Sequence, residues 1–233
     1  MEKQVITLPQ SQLPMPPPVV AIPFVFIVDS PSAEDLYDGY TIGMALRDAL
    51  IAVKIPCEYK LATNASRLHT ALNKDLHEAV IKRQVWPQTS AYPILHLCMH
   101  GNTGGVAFTD GNLVGWPQLR QLLSAHDTIK GHPPFVCMAS CNGFDAVHMA
   151  SANDTPFSFL VGNTQIVGQS DLTVGYLAFY HQLVYRNANV EQAVIAMRAA
   201  SGNHNFVYQT GEQVRNYKIQ EMLNSWSIPS GAI

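Results

Sequence analysis

The chain has 233 residues, 47% hydrophobic and 13% charged, which suits one substantial folded domain and excludes an intrinsically disordered protein. Fourteen Lys and Arg against seventeen Asp and Glu leave a net charge of -3 with no basic run, so direct nucleic-acid binding is not expected. The four cysteines, Cys57, Cys98, Cys137 and Cys141, show neither C-x-x-C spacing nor a dense disulfide framework, which fits a reducing, cytoplasmic setting.

Residues 1–18 are rich in Gln and Pro and read as an extended arm ahead of a single domain over residues 19–233. Prolines interrupt the N-terminal segment and no stretch approaches about 18 apolar residues, so neither export nor membrane spanning is expected. Phe24 to Val28 reads as a first strand ending in Asp29-Ser30-Pro31. Ser32 then caps a helix with apolar positions Leu36, Tyr40, Gly43, Leu46, Leu50 and Val53, which Pro56 ends. Cys57 to Leu61 is a second strand, and Asn64 to Arg83 has helical spacing.

Two apolar runs bounded by Pro or Gly follow, Pro93 to His100 and Pro134 to Cys141, each patterned as a strand buried on both faces. Between them Gly105 to Trp116 reads as a hairpin around Asp110-Gly111, followed by a helix to Ala125. Beyond Cys141 the pattern gives a polar, flexible stretch from Phe144 to Thr155, a strand at Phe157 to Gly162, and helices near Asp171 to Tyr185 and Val190 to Ser201. The tail from Phe206 has no clear assignment. Strands alternating with helices predict an α/β fold with a mostly parallel central sheet, flanked by helices and carrying a small hairpin.

Ligands of such sheets bind beyond the carboxyl ends of the strands, and His100 and Cys141 fall at those ends. A thiol nucleophile needs a base nearby and a partly open site, so the two form a candidate catalytic dyad. The N–H groups of Gly101 and Cys141 are candidate oxyanion-hole donors. No carboxylate adjacent in sequence orients His100, so a third member is a backbone carbonyl or absent.

An apolar strand ending in His100-Gly101, then a later strand ending in Ala139-Ser140-Cys141, resembles the caspase-like cysteine peptidases of clan CD. The similarity is broadest to the bacterial CHAT-domain branch. It runs through Asp29-Ser30-Pro31, Gly104 to Gly111 with Trp116, Phe179-Tyr180, and Glu191 to Val194 with Arg198. The resemblance implies a caspase-like sandwich, a cysteine endopeptidase with a protein substrate and no cofactor, control by a regulatory protein partner, and a role in antiviral defence or cell death. Asn142-Gly143 after the nucleophile departs from the caspase pattern, so caspase specificity is not carried over. Asp29 instead resembles the acidic S1 wall of arginine- and lysine-specific relatives, with Asp171 a second candidate for holding a basic P1 residue. In caspases related loops are cut or ordered on activation, which makes Phe144 to Thr155 a candidate for the same.

Other readings are weaker. His96, Cys98 and His100 share a strand face but do not converge as zinc ligands, and His96 is expected to be a satisfied core histidine. No G-x-S-x-G, G-x-G-x-x-G or G-x-x-x-x-G-K-[ST] occurs, which leaves a serine hydrolase and a nucleotide-binding protein without their motifs. The alternative from another class is a catalytically silent caspase-like interaction module.

Overall fold

The computed structural model describes residues 20–84, 86 and 89–226. The Pro-rich arm of residues 1–18, and residues 19 and 227–233 of the expected domain, lie outside the described residues. Val20–Ser30 forms β1, whose run from Phe24 to Val28 has no polar position and is fully buried. Alternate residues of this strand serve two cores, as the period of two requires. Phe24, Phe26 and Val28 enter one core, and Val25 and Ile27 the other.

Helices α1 (Ala33–Asp38) and α2 (Ile42–Ala52), strand β2 (Cys57–Leu61), and α3 (Ala65–Thr70) joined by a π turn to α4 (Leu76–Arg83) come next. Strand β3 (Thr89–Asn102) runs into a hairpin of β4 (Gly105–Ala107) and β5 (Leu113–Gly115), then α5 (Trp116–Lys130) and β6 (Phe135–Ala139). A 3₁₀ helix (Gly143–Met149), β7 (Phe159–Asn163), α6 (Gln169–Tyr180) continued by a π turn (His181–Tyr185), α7 (Val190–Ser201), β8 (Phe206–Thr210) and α8 (Gly211–Trp226) complete the order.

The main sheet has the strand order β2-β1-β3-β6-β7-β8, parallel except for β8. Leu68, Leu76, Leu119 and Leu123 of α3, α4 and α5 cover one face. Leu46, Leu50, Tyr176 and Met197 of α2, α6 and α7 cover the other. Each such side chain contributes about 1.5–3 kcal/mol when fully buried. At the β2 edge the Arg83 guanidinium lies 4.3 Å over the Phe24 ring, donates to the Cys57 carbonyl at 2.9 Å and pairs with Glu58 at 3.1 Å.

The single helix expected from Ser32 to Val53 is two. Gly39 takes the left-handed conformation (φ 75°) and ends α1, which buries no residue, so Leu36 and Tyr40 lie outside the core stripe. The polar stretch from Phe144 is not a loop at its start, because Ala146 and Met149 are three apart, matching the three-residue period of the 3₁₀ helix, and both are buried. The unassigned tail supplies the antiparallel edge strand β8 and helix α8.

Strand β7 passes close behind the turn that follows β6. A Cβ on Gly162 would lie 2.7 Å from the Phe144 nitrogen and 2.8 Å from the Gly143 carbonyl carbon, both backbone atoms. Gly162→Ala is therefore expected to destabilise the protein by about 1–3 kcal/mol, read as a lowered denaturation midpoint. An unchanged midpoint would show that this contact is slack.

Candidate active site

Strands β3 and β6 are parallel neighbours, with Cys98 opposite Ala139. His100 and Cys141 each lie two residues further on, so the pairing carries both to one level beyond the sheet's carboxyl edge. Contact there is close, since a Cβ on Gly101 would lie 2.6 Å from the Cys141 carbonyl oxygen. The chain turns away at once: Asn142 is left-handed (φ 50°), its N–H donates to the Gln165 carbonyl at 2.9 Å, and the Gly143 N–H donates to the Ser140 carbonyl at 3.2 Å. A side chain at Gly143 would meet the Met138 carbonyl oxygen at 2.7 Å, so the turn needs glycine there.

A cavity of about 90 Å³ opens at this edge, with Asp29, Asp35, His100, Ser140 and Cys141 among its lining residues. That is well below the ~300 Å³ lower end of drug-sized sites and suits a single amino-acid side chain. The Cys141 thiol is engaged by one residue of the β7–α6 loop, donating to the Val167 carbonyl at 3.7 Å and accepting from the Val167 N–H at 3.5 Å. The oxyanion candidates sit together as well. Asn102 and Gly105 close a two-residue turn opposite each other, so by antiparallel alternation the next pair, Gly101 and Val106, does not exchange hydrogen bonds. That leaves the Gly101 N–H free of the hairpin. Ser140 Oγ is buried, without a hydrogen-bond partner among the described residues, and 3.0 Å from where a Gly101 Cβ would stand.

His100 is not left to a backbone carbonyl. Its Nε2 lies 3.1 Å from Oδ2 of Asp35 on α1. The sequence signalled Asp35 only as the third residue after a helix cap: Ser32 Oγ accepts from the Asp35 N–H at 3.0 Å and donates to Oδ2 at 2.7 Å. Nothing local linked it to a histidine 65 positions away.

Asp29 lies at the cavity with 1% of its surface exposed. Burial pushes its carboxyl up to about 6, although Tyr59 donates to Oδ2 at 3.1 Å and the Gly43 and Met44 N–H groups also donate to it. The last two belong to the first turn of α2, which gains its cap from a neighbouring strand, Thr41 making no side-chain cap bond. Gly43 has no room for a side chain, as its Cβ would stand 2.5 Å from the Asp29 Cγ.

The other expected positions lie elsewhere. Asp171, in the first turn of α6, is not a lining residue and accepts from Asn203 at 3.2 Å. His96 is fully buried, paired with the Tyr180 hydroxyl through Nδ1 at 2.8 Å, and held neutral by burial, which lowers its pKa to about 3. Its Nε2 has no partner among the described residues, so it is half satisfied rather than fully. Among those residues no group of three or more His, Cys, Asp and Glu side chains is placed to hold a metal ion, and no helix is long and apolar enough to cross a membrane.

No family model matches the chain, and no curated protein matches it. The structure is similar to a secreted C11 cysteine protease from Bacteroides thetaiotaomicron, iotapain, with a TM-score of 0.54 and 11% identity. The match covers 90% of this chain and 72% of that one. The α/β fold is thus of the caspase-like kind that the sequence led us to expect.

A carboxyl raised from 3.8 to about 6 costs up to about 3 kcal/mol when it ionises. The fold favours its protonated form, so that contribution is fully present below about pH 4 and is lost as pH rises through about 6. Asp29→Asn keeps the shape, and the Tyr59 hydroxyl can turn to accept from the amide. The variant is expected to melt above wild type at about pH 7.5, with the gap closing towards about pH 4. A gap independent of pH in calorimetry would mean that Asp29 is not ionised at the cost stated.

Proposed function

We propose that the protein is a cysteine endopeptidase in which Cys141 is the nucleophile and His100 the proton carrier. The observation that carries this reading is the register of β3 against β6, which brings His100 and Cys141 to one cavity of side-chain size, with the Gly101 backbone close to Cys141. Cys141 Sγ attacks the scissile carbonyl carbon while His100 takes the thiol proton. The resulting oxyanion is met by the N–H groups of Gly101 and Cys141. Collapse expels the amine with a proton from His100 and leaves an acyl-enzyme, which water then hydrolyses with His100 as base.

Asp29 is proposed to receive a basic P1 side chain. A buried carboxylate that is costly to ionise gains a counter-ion when a lysine or arginine enters, and the ion pair is formed out of water. The neighbour's cysteine-protease character supports the peptidase reading. Control by a protein partner and a place in defence or regulated cell death rest on the sequence resemblance to the CHAT branch alone.

The test is cleavage of a mixed peptide library, read by mass spectrometry, with wild type, Cys141→Ala, His100→Ala and Asp29→Asn. Wild type is expected to cut after Lys or Arg, the first two variants to be silent, and Asp29→Asn to lose the basic preference. That preference is also expected to weaken below about pH 6, where Asp29 becomes neutral. Cutting that survives Cys141→Ala would rule out the thiol mechanism, and acidic or apolar P1 residues would rule out the role of Asp29. An intact, unreactive wild type would favour the interaction module.

A further inference from the structure

We infer that Asp35 is the third member of the catalytic group, a positioning residue that fixes the His100 ring and its tautomer; this rests on the cysteine-peptidase reading above. A carboxylate can only accept, so at 3.1 Å the His100 Nε2 carries the hydrogen and donates it to Asp35 Oδ2. That leaves the lone pair on Nδ1, the atom able to take the Cys141 proton. No proton passes to Asp35. Its charge stabilises the imidazolium that forms when the thiol ionises, as an opposite charge within hydrogen-bond distance does.

The carboxylate is itself held from two sides. Ser32 donates to Oδ2 at 2.7 Å, and the Gln169 side chain, from the first turn of α6, also hydrogen-bonds it. These bonds and His100 keep Asp35 below the usual carboxylate range, so it is ionised at neutral pH. The placement is notable because α1 buries no residue: its six positions fill no core, and Asp35 is the side chain it extends to the catalytic histidine. With 55% of the His100 side chain exposed, packing alone does not set its ring, and the bond to Asp35 does. The other titratable groups facing the cavity are Asp29 from β1, Tyr40 between α1 and α2, Cys98 on β3 and Cys141 beyond β6, while α6 presents only neutral Gln169 and Leu172.

The test compares wild type with Asp35→Asn, Asp35→Glu and Ser32→Ala. One readout is the pH dependence of Cys141 alkylation by iodoacetamide, resolved by peptide mass spectrometry from the other free cysteines. The other is kcat and KM on a peptide that wild type cuts. Asp35→Asn is expected to fold and melt as wild type, because α1 buries nothing. Without the carboxylate the imidazolium is less stable, so the rise of Cys141 alkylation moves to higher pH, by at least about half a unit. On the peptide, kcat falls roughly ten- to a hundredfold with KM nearly unchanged. Asp35→Glu restores part of both, and Ser32→Ala shifts both slightly in the direction of Asp35→Asn. An alkylation profile identical in wild type and Asp35→Asn would overturn the inference. If the profile shifts while neither protein cuts any peptide, Asp35 still positions His100 and it is the peptidase reading that fails.

Discussion

The parallel pairing of β3 with β6 is the constraint on which the carboxyl edge of the sheet depends. With Cys98 opposite Ala139, His100 and Cys141 leave the sheet level with each other and on the same face. A slip of one residue would turn one of them to the opposite core. The register is fixed by what lies beneath. His96 of β3 bonds the Tyr180 hydroxyl of α6, and the Tyr176 hydroxyl of the same helix bonds the Met138 carbonyl of β6 at 3.0 Å. One helix thus grips both strands a few residues below the dyad, through hydroxyl groups that are buried and satisfied.

Two carboxyl groups face this small cavity, and their surroundings push them apart. Burial raises Asp29, while hydrogen bonds from Ser32 and its neighbours lower Asp35. Such divergence is how one site holds an acid and a base with the same functional group. Asp29 also serves the scaffold, because its contact with Gly43 and Met44 starts α2 where Thr41 supplies no cap. The wall of the cavity and the charge inside it are therefore one feature.

The strands and the order of the dyad were readable because a two-sided strand leaves a continuous apolar run, and Pro or Gly marks its ends. Phe24 to Val28 and the runs before His100 and Cys141 all carry that mark. What was not readable depends on contacts distant in sequence. The break at Gly39 looked like one glycine in a periodic helix, and the tie from Asp35 to His100 spans 65 positions with nothing local to announce it. Asp29 and Asp171 looked alike as acids near strand ends. Only the tertiary structure separates a carboxyl at the cavity from one turned to Asn203.

The edge strand β2 carries a further implication. Arg83 takes the Cys57 carbonyl and pairs with Glu58, and Lys60 lies 3.8 Å from Asp75, so the open side of this strand bears charge rather than bare backbone. A fibre built by adding sheets edge to edge needs two receptive edges on every copy. Here the charges along β2 oppose such growth on that side of the sheet.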